Sequence, residues 1–569
     1  MRQGLRFALG LVMTALSAGP LCAQTIDYGS VAGADDSGDE QAASQQRRAN
    51  GSYKPKQRYG GDISPYIEIA QVVTKEISPG DEVFTYSRVA AGVDAAVNGI
   101  NNAGSISARY ERDFSWQRGR GDRESISGVA NGYAGIAPGV RLHAGGFADR
   151  RRVDTDGTIG NAPLGNADRL TQFYSLYAGP QASVVLGDVA LTGSYRIGYT
   201  KIDENSRIDT PATTPRSFDA FEDSVTHDAS VSAAVQPDTV LPVGLGVAGA
   251  YFREDSSNLD QRIEELRAQV TVTAPVSRTL SVSGAVGYET VEVSSRDALR
   301  DADGAPIRDA SGRYVTDEAG PRFLAYDVDG LIWDAGVMWR PSSRTSLAAH
   351  VGRRYGSVGV YGQFYYAPSD RHAFNVLVYD NVSGFGGQLT KAIAGLPTDF
   401  EAIRNPITGE LSGSVASLGQ GGSLEGVFSN VRSSAFRARG VTVAYIYSNG
   451  RLGGGLSGGY DRRKFIAAAG TVLEQADGSV DESFWLSGEV RYRLDMQSGV
   501  GAQAYARWTN PDLAAFGDST ALGANASYYR MLTGNLSATA AVGIDGFERE
   551  LLLDDYWTAS ALLGMRYSF

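Results

Sequence analysis

Cysteine and lysine are both scarce in this sequence. Cys22 is the only cysteine among 569 residues, so no intrachain disulfide can form. Only six of the 52 basic residues are lysine, and the others are arginine. The net charge of −12 argues against a nucleic-acid-binding surface, which would be basic. After residue 23 there is no run of about 18 apolar residues, the length that a transmembrane helix needs.

The N-terminus has the layout of a secretory leader. Two arginines precede an apolar run over 7–21, and Ala23 is a small residue suited to the cleavage site. We therefore predict a signal peptide over 1–23. A lipoprotein site at Cys22 is the alternative, but Leu21 stands where a lipobox has a small residue.

Residues 24–62 carry almost no apolar periodicity and are rich in Asp, Ser, Gly, Gln and Arg. This composition predicts a disordered periplasmic arm. The arm is either a plain linker or a peptide that docks to a periplasmic partner.

From residue 63 onward, apolar and polar residues alternate with a period of two. Such alternation gives a strand one apolar and one polar face. The runs reach about ten residues, whereas strands of soluble proteins have a mode of about five or six. Long alternating runs are typical of strands that cross an outer membrane. The clearest runs cover 189–199, 265–274, 280–289, 484–495 and 536–544.

The connections between these runs alternate in length. Tight turns, for example near 101–104 and 137–139, alternate with long or charged insertions such as 203–223 and 296–323. Outer-membrane barrels have short periplasmic turns and longer extracellular loops. We therefore predict an all-β fold over 63–569, a transmembrane antiparallel β-barrel of about 22 strands.

The last stretch, 556–569, is the strand on which this prediction depends most. Every second residue from Trp557 to Phe569 is apolar or aromatic, and the residues between them are mostly small or polar. Aromatic residues stand at both ends of the apolar face, as in strands that anchor at both membrane interfaces.

The end of this strand resembles a family. Gram-negative outer-membrane barrels tend to close on Gly-x-x-hydrophobic-x-aromatic, the signal read by the barrel-assembly machinery, and Gly564, Tyr567 and Phe569 match it. Leu562 departs from the pattern, which usually has a polar residue at that place. The order of turns places Phe569 at the periplasmic rim, so we expect the closing strand to pair with the first strand near 66–73.

The longest insertion, 383–436, is rich in Gly and Ser and has a short helix-like apolar stretch at 389–396. A barrel of about 22 strands encloses a lumen too wide for side chains to fill. The insertion is therefore either a constriction loop that folds into the pore or a surface loop outside it.

Charged residues on the polar faces of the predicted strands form the candidate pore lining. Opposed charges inside a pore set its selectivity. The same residues could instead brace the wall as structural ion pairs. They are Arg196, Glu265, Arg267, Glu289, Asp334, Arg340, Arg354, Glu489, Arg491, Arg493 and Arg566.

A second resemblance is carried by 339–347, 352–355 and 366–371, which combine two Pro-Ser-x-Arg turns with a Gly-Arg-Arg-Tyr strand. This segment is similar to outer-membrane barrels found with exopolysaccharide and exosortase-type systems. The whole chain looks like a sphingomonad, alphaproteobacterial outer-membrane barrel family whose members often bear the name preprotein translocase subunit. Nothing here resembles the small one-helix subunit of that name, and the resemblance implies no catalytic residues.

Enzyme-like motifs lack the structural context that their chemistry needs. The G-x-G-x-x-G at 244–249 and the G-x-S-x-G at 455–459 are not followed by a helix pattern. The four histidines have no metal-ligand spacing. We therefore predict no enzyme activity and no cofactor.

The function predicted is an outer-membrane channel for small solutes or for export of a surface polysaccharide. A structural or assembly protein of the envelope without a conducting pore is the alternative. A TonB-dependent receptor is disfavoured, because 24–62 is too short for the plug of such receptors. The expected partners are outer-membrane lipid, lipopolysaccharide, the barrel-assembly machinery and a periplasmic partner of the arm, with no nucleic acid.

Overall fold

The structure is a computed structural model that describes residues 60–117, 122–153, 159–160, 170–203, 221–309, 313–416, 422–424, 426–428, 430–512, 517–550 and 555–569. The predicted signal peptide over 1–23 lies outside the described residues, as does nearly all of the predicted arm over 24–62.

The described chain folds mainly into antiparallel strands that pair with their neighbours in sequence. The main sheet has 23 strands, and one of them, β6, is a two-residue strand at the end of β5, so 22 long strands form the ring. The prediction of a β-barrel of about 22 strands is confirmed. In chain order the strands are β1 (Gly60–Ser78), β2 (Val83–Asn98), β3 (Asn102–Ser115), β4 (Arg123–Ala137), β5 (Val140–Val153), β6 (Ile159–Gly160), β7 (Leu170–Leu186), β8 (Val189–Asp203), β9 (Asp223–Val235), β10 (Gly244–Ser256), β11 (Gln261–Pro275), β12 (Leu280–Ser295), β13 (Phe323–Ser342), β14 (Thr345–Arg354), β15 (Ser357–Ser369), β16 (His372–Ser383), β17 (Glu401–Arg404), β18 (Leu411–Ala416), β19 (Gly422–Ser423), β20 (Ala435–Asn449), β21 (Leu452–Ile466), β22 (Val480–Arg493), β23 (Ser498–Pro511), β24 (Ser519–Met531), β25 (Leu536–Arg549) and β26 (Tyr556–Ser568).

The ring closes between its first and last strands. β1 pairs with β26 in antiparallel register from Tyr66 opposite Ser568 to Glu76 opposite Thr558. The Phe569 N–H donates a hydrogen bond to the Pro65 carbonyl at 3.0 Å, which extends the pairing to the last residue. Closure leaves the sheet without a free edge, as a membrane-spanning sheet requires.

The two ends of the barrel differ in their connections. At one end the strands are joined by short turns, such as 138–139, 187–188 and 343–344. At the other end they are joined by longer segments, such as 296–322 and the 51 residues over 384–434. The first end is periplasmic and the second is extracellular, in agreement with the predicted order of turns.

The outer face of the barrel is apolar. Outward side chains such as Leu563 and Val286 are 67% and 62% exposed, a level at which a soluble protein rarely leaves a continuous apolar surface. Near the periplasmic ends of β15, β16 and β20, the rings of Tyr366, Phe374 and Tyr445 stack on one another, with centroids 6.2 and 4.6 Å apart. Aromatic residues at this height form the belt that membrane barrels place at the interface.

The only α-helix in the described part of the chain, α1 (Phe385–Ala394), begins four residues before the predicted stretch at 389–396. α1, β17, β18 and β19 all belong to residues 384–434, which we call the plug. None of the described helices has both the length and the apolar character needed to span a membrane.

Removal of Phe569 is expected to lower the amount of assembled protein in the outer membrane, because it removes the last aromatic of the closing strand and its bond to β1. The measurement is the heat-modifiable band in outer-membrane fractions. The matched control is Phe484→Ala, which removes an outward aromatic of β22 that is 51% exposed and lies outside the closing strand. Wild-type levels of the truncated protein would contradict the role assigned to Phe569.

Candidate functional site

The plug enters the barrel from its extracellular end, and a carboxylate of the wall caps its helix. Glu254, on β10, accepts hydrogen bonds from the N–H groups of Gly384 and Gly387 at 2.8 and 2.9 Å. These amides precede or begin α1 and have no carbonyl partner within the helix. A carboxylate there also interacts favourably with the positive end of the helix dipole. Glu254 thus fixes where the plug begins to descend.

One face of α1 packs against aromatic residues of the barrel wall. The Phe385 ring lies 5.3 Å from that of Phe221 and 6.0 Å from that of Phe173, between centroids. Leu389 and Ile393 are fully buried in the same cluster. Burial of such side chains stabilises this contact by about 1.5–3 kcal/mol each. The helix is therefore docked on the wall formed by β5 and β7 to β9.

Beyond α1 the plug reaches the periplasmic half of the barrel. The Ser105 hydroxyl donates a hydrogen bond to the Thr398 carbonyl at 2.9 Å, and the Gln503 side-chain amide donates one to the Arg404 carbonyl at the same distance. Ser105 is the fourth residue of β3 and Gln503 the sixth of β23, both counted from the periplasmic end. The plug thus contacts walls on two sides of the lumen at this depth.

Further along the plug, the Ile407 side chain inserts into an apolar pocket of the wall, which we call the seat of Ile407. Ile407 is 1% exposed and packs with Val72, Tyr86, Ala541 and Leu562. These four residues come from β1, β2, β25 and β26, which flank the closure of the ring. The Leu562 side chain faces the lumen and belongs to the same apolar cluster as Ile407, which gives a physical reason for an apolar residue at this position.

Arginines of the wall hydrogen-bond to backbone carbonyls of the plug. The plug has little regular structure of its own, so these carbonyls need partners from elsewhere. Guanidinium groups suit this task because one group offers five N–H donors. The bonds run from Arg88 to Ile407 (2.6 Å), from Arg151 to Leu411 (3.0 Å), from Arg463 to Gly426 (3.0 Å), Val427 (2.9 Å) and Asn430 (3.0 Å), and from Arg507 to Phe428.

Three of these arginines are also paired with carboxylates of the wall. The three arginine and the three carboxylate side chains are nearly excluded from solvent, so each buried charge needs a partner of opposite sign. The pairs are Arg88 with Asp113 (2.8 Å), Arg151 with Asp149 (2.9 Å) and Arg463 with Asp461 (2.7 Å).

Sequence reasoning missed these anchoring residues, although two pairs leave a signal. Asp149 and Arg151 are two positions apart, as are Asp461 and Arg463, so each pair shares one face of its strand. This spacing allows an acidic and a basic residue to pair along one face, as these two pairs do, although Glu265 and Arg267 have the same spacing and Glu265 pairs with Arg354 instead. The sequence does not reveal which carbonyl of the plug the arginine will bind.

Glu410 is a buried carboxyl group of the plug beside this network. Its Oε1 atom lies 3.7 Å from Arg150 Nε, which is too far for a hydrogen bond, and it has no other hydrogen-bond partner among the described residues. Burial raises the pKa of Glu410 to about 8, although the Arg150 guanidinium opposes the shift. Burial thus favours the protonated form of Glu410.

Five of the predicted pore-lining residues meet on the inner wall of β11 to β14. Arg354 pairs with Glu265 and, at 3.2 Å, with Glu289. Asp334 lies 3.2 Å from His350 Nδ1 and accepts a hydrogen bond from the Tyr361 hydroxyl. The five residues of this cluster are Glu265, Arg267, Glu289, Asp334 and Arg354.

The other predicted pore-lining residues are spread around the ring. Arg566 pairs with Asp94 at 2.9 Å and lies 3.5 Å above the centroid of the Tyr66 ring. The remaining pairs are long, with Arg196 at 3.9 Å from Asp228 and Arg491 at 4.0 Å from Glu489. Arg340 and Arg493 are exposed near the periplasmic ends of β13 and β22.

The plug is held unevenly around the lumen. Inward side chains of β2 to β5 that bond it, such as Arg88 and Asn131, are 1% and 4% exposed. Among the described residues, no side chain of β13, β14 or β15 is hydrogen-bonded to the plug. Inward residues of these strands, such as Met338, Gln363 and Tyr365, remain partly exposed. We call the space beside these three strands the β13–β15 passage.

No protein-family model and no curated protein matches the sequence. The chain is similar to solved structures at low identity. The ferric-catecholate import receptor Fiu of E. coli K12 in its closed form is 11% identical, with 90% of this chain and 82% of that chain covered and a TM-score of 0.42. The FrpB iron transporter of Neisseria meningitidis is 11% identical, with 89% and 83% covered and a TM-score of 0.41. These values support no statement about function.

Replacement of Leu562 by Ser is expected to loosen the plug while leaving assembly at least as efficient, because a polar residue there fits the closing pattern. Removal of the apolar contact with Ile407 should cost about 2–4 kcal/mol. The measurement is the rate of proteolysis within the plug of the purified barrel. Leu562→Met, which conserves volume, is the control and should cleave at the wild-type rate. Equal cleavage of all three proteins would contradict the seat described here.

Glu410→Gln is expected to be more stable than the wild type, by a margin that grows with pH. The raised pKa means that the folded state keeps its proton while the unfolded state ionises near pH 4.5. The stability that the protonated carboxyl gives is complete below pH 4.5 and is lost as the pH rises to about 8. The measurement is the difference in thermal unfolding midpoint between the two proteins from pH 4 to pH 9. A difference that does not change with pH would contradict the shift.

Proposed function

We propose that this protein is an outer-membrane channel whose lumen is narrowed by the plug and whose open route is the β13–β15 passage. The observation that carries the proposal is the uneven attachment of the plug. Its anchors lie on β2 to β5, β10 and β21 to β23, whereas β13 to β15 keep inward side chains that are partly exposed.

The size of the barrel supports a route of this kind. A ring of 22 strands has a lumen that side chains alone do not fill. The plug fills part of this lumen and confines the proposed route to the side of β13 to β15. The Asp399 carboxylate, at the deep end of the plug, interacts electrostatically with the Tyr365 hydroxyl of β15. This approach marks the narrow point of the proposed route.

The cargo proposed is a small polar solute. Gln363, Tyr361 and Tyr365 on β15 offer hydrogen-bonding groups along the route rather than an apolar lining. Export of a surface polysaccharide is the finer proposal, and it is supported by the resemblance of residues 339–371 to barrels found with exopolysaccharide systems. Loss of surface polysaccharide on deletion of the protein would support that version.

A structural protein of the envelope without a conducting pore is the second candidate. The observation in its favour is the completeness of the plug's anchoring, since at least four wall arginines bond its carbonyls. A plug held in this way need not move. The two candidates differ in a single respect, which is whether ions cross the purified barrel.

Deletion of residues 386–432 is expected to raise the single-channel conductance of the purified protein in planar bilayers, because it removes the mass that narrows the lumen. The wild type should already conduct, with a smaller step. The matched control deletes 300–315 from the extracellular segment 296–322, which leaves the plug intact and should keep the wild-type step.

A wild-type protein that is folded and heat-modifiable but silent in bilayers would overturn the channel proposal and favour the structural one. Equal conductance of the wild type and the plug deletion would show that the plug does not narrow the route.

A further inference from the structure

Arg267 is an inward residue of β11 without a partner. Among the described residues its guanidinium makes no hydrogen bond and no ion pair. Arg267 stands opposite Glu289 in the register of β11 and β12, and Glu265 is two positions away on the same face of β11. Other buried arginines of the inner wall, such as Arg88, Arg151 and Arg463, are bonded both to a carboxylate and to a carbonyl of the plug. A guanidinium without such a partner is free to bind a solute.

The carboxylates near Arg267 are already engaged by other donors. Glu265 accepts from Arg354 and from the Tyr355 hydroxyl. Glu289 accepts from Arg354 and from the Tyr355 N–H. These two carboxylates therefore have most of their hydrogen-bonding capacity occupied.

Asp334 is engaged in the same way. It accepts a hydrogen bond from Tyr361, and its second oxygen lies 3.3 Å from His350 Nδ1. The cluster thus presents engaged acceptors and one free donor group. Because the free group is a hydrogen-bond donor, the cluster favours solutes that accept hydrogen bonds.

A second cation faces the same region from the plug. Lys391 Nζ lies 3.5 Å from the centroid of the Phe252 ring, and Glu265 is one of the charges that act on it. With Lys391, the three carboxylates of the cluster are balanced by three cations. A preference for anions here therefore depends on which groups are free, and Arg267 is the free one.

We propose that Arg267 is an anion-binding residue of the route, which gives the channel a preference for small anions that carry carboxylate or phosphate oxygens. The inference rests on the proposed channel function and deepens it, because it names the class of solute. Arg267 binds the solute through its guanidinium N–H groups, and the braced cluster around it holds its position.

The test is the reversal potential of the purified full-length protein in a gradient of KCl across a planar bilayer. The wild type should favour chloride. In Arg267→Gln the ratio of chloride to potassium permeability should fall by at least about threefold, as expected for one charge at about 5 Å in a water-filled route. Arg267→Lys should retain most of the preference.

The matched control is Arg278→Gln, which removes the same charge from the exposed periplasmic turn between β11 and β12. Salt screens a charge in that position, so the permeability ratio should change little. Added phosphate should reduce the chloride current of the wild type and have a weaker effect on Arg267→Gln.

The outcomes separate the two proposals. A silent wild type overturns the channel and the anion site together. A conducting wild type whose permeability ratio is the same in Arg267→Gln overturns the anion site alone. An equal fall in Arg278→Gln would also overturn it, because the effect would then belong to total charge.

Discussion

The structure depends on one constraint, which is that a long chain segment crosses the lumen with few hydrogen bonds of its own. The carbonyls of residues 384–434 must find donors in the wall, and arginines supply them. This requirement favours arginine over lysine at these inward positions, because an ammonium group cannot bond several carbonyls in a fixed fork. Arg463 illustrates the point with bonds to three carbonyls of the plug.

The same constraint shapes the wall sequence. Inward residues that bond carbonyls of the plug are polar or charged, whereas those that pack around the Ile407 side chain are mostly apolar. Leu562 is apolar because it contacts Ile407, and Arg88 is charged because it bonds the Ile407 carbonyl. One plug residue therefore accounts for two inward residues of opposite character on neighbouring parts of the ring. On β13 to β15, where no described side chain bonds the plug, inward residues such as Gln363 and Tyr365 stay partly exposed.

The fold could be predicted from the sequence because its signals are local. The period of two and the order of turns need only neighbouring residues, and they gave the ring, its two ends and the pairing of 66–73 with the closing strand. The plug could not be predicted in the same way. Arg88 and Ile407 are 319 positions apart, and no local pattern links them. For the charged residues, the strand period predicted that they share the polar face. The strand period could not distinguish Arg354, which is paired with two carboxylates, from unpaired Arg267, because that difference depends on residues distant in sequence.

The most direct measurement of the account is selective labelling of the two sides of the lumen during current recording. Cys22 is the only cysteine and lies in the predicted leader, so a single introduced cysteine can be modified alone. A charged thiol reagent should reduce the current of Gln363→Cys, on β15, and leave that of Ser127→Cys, a buried contact of the plug on β4, unchanged. The reverse pattern, or a loss of current at both positions, would contradict a route confined to the side of β13 to β15.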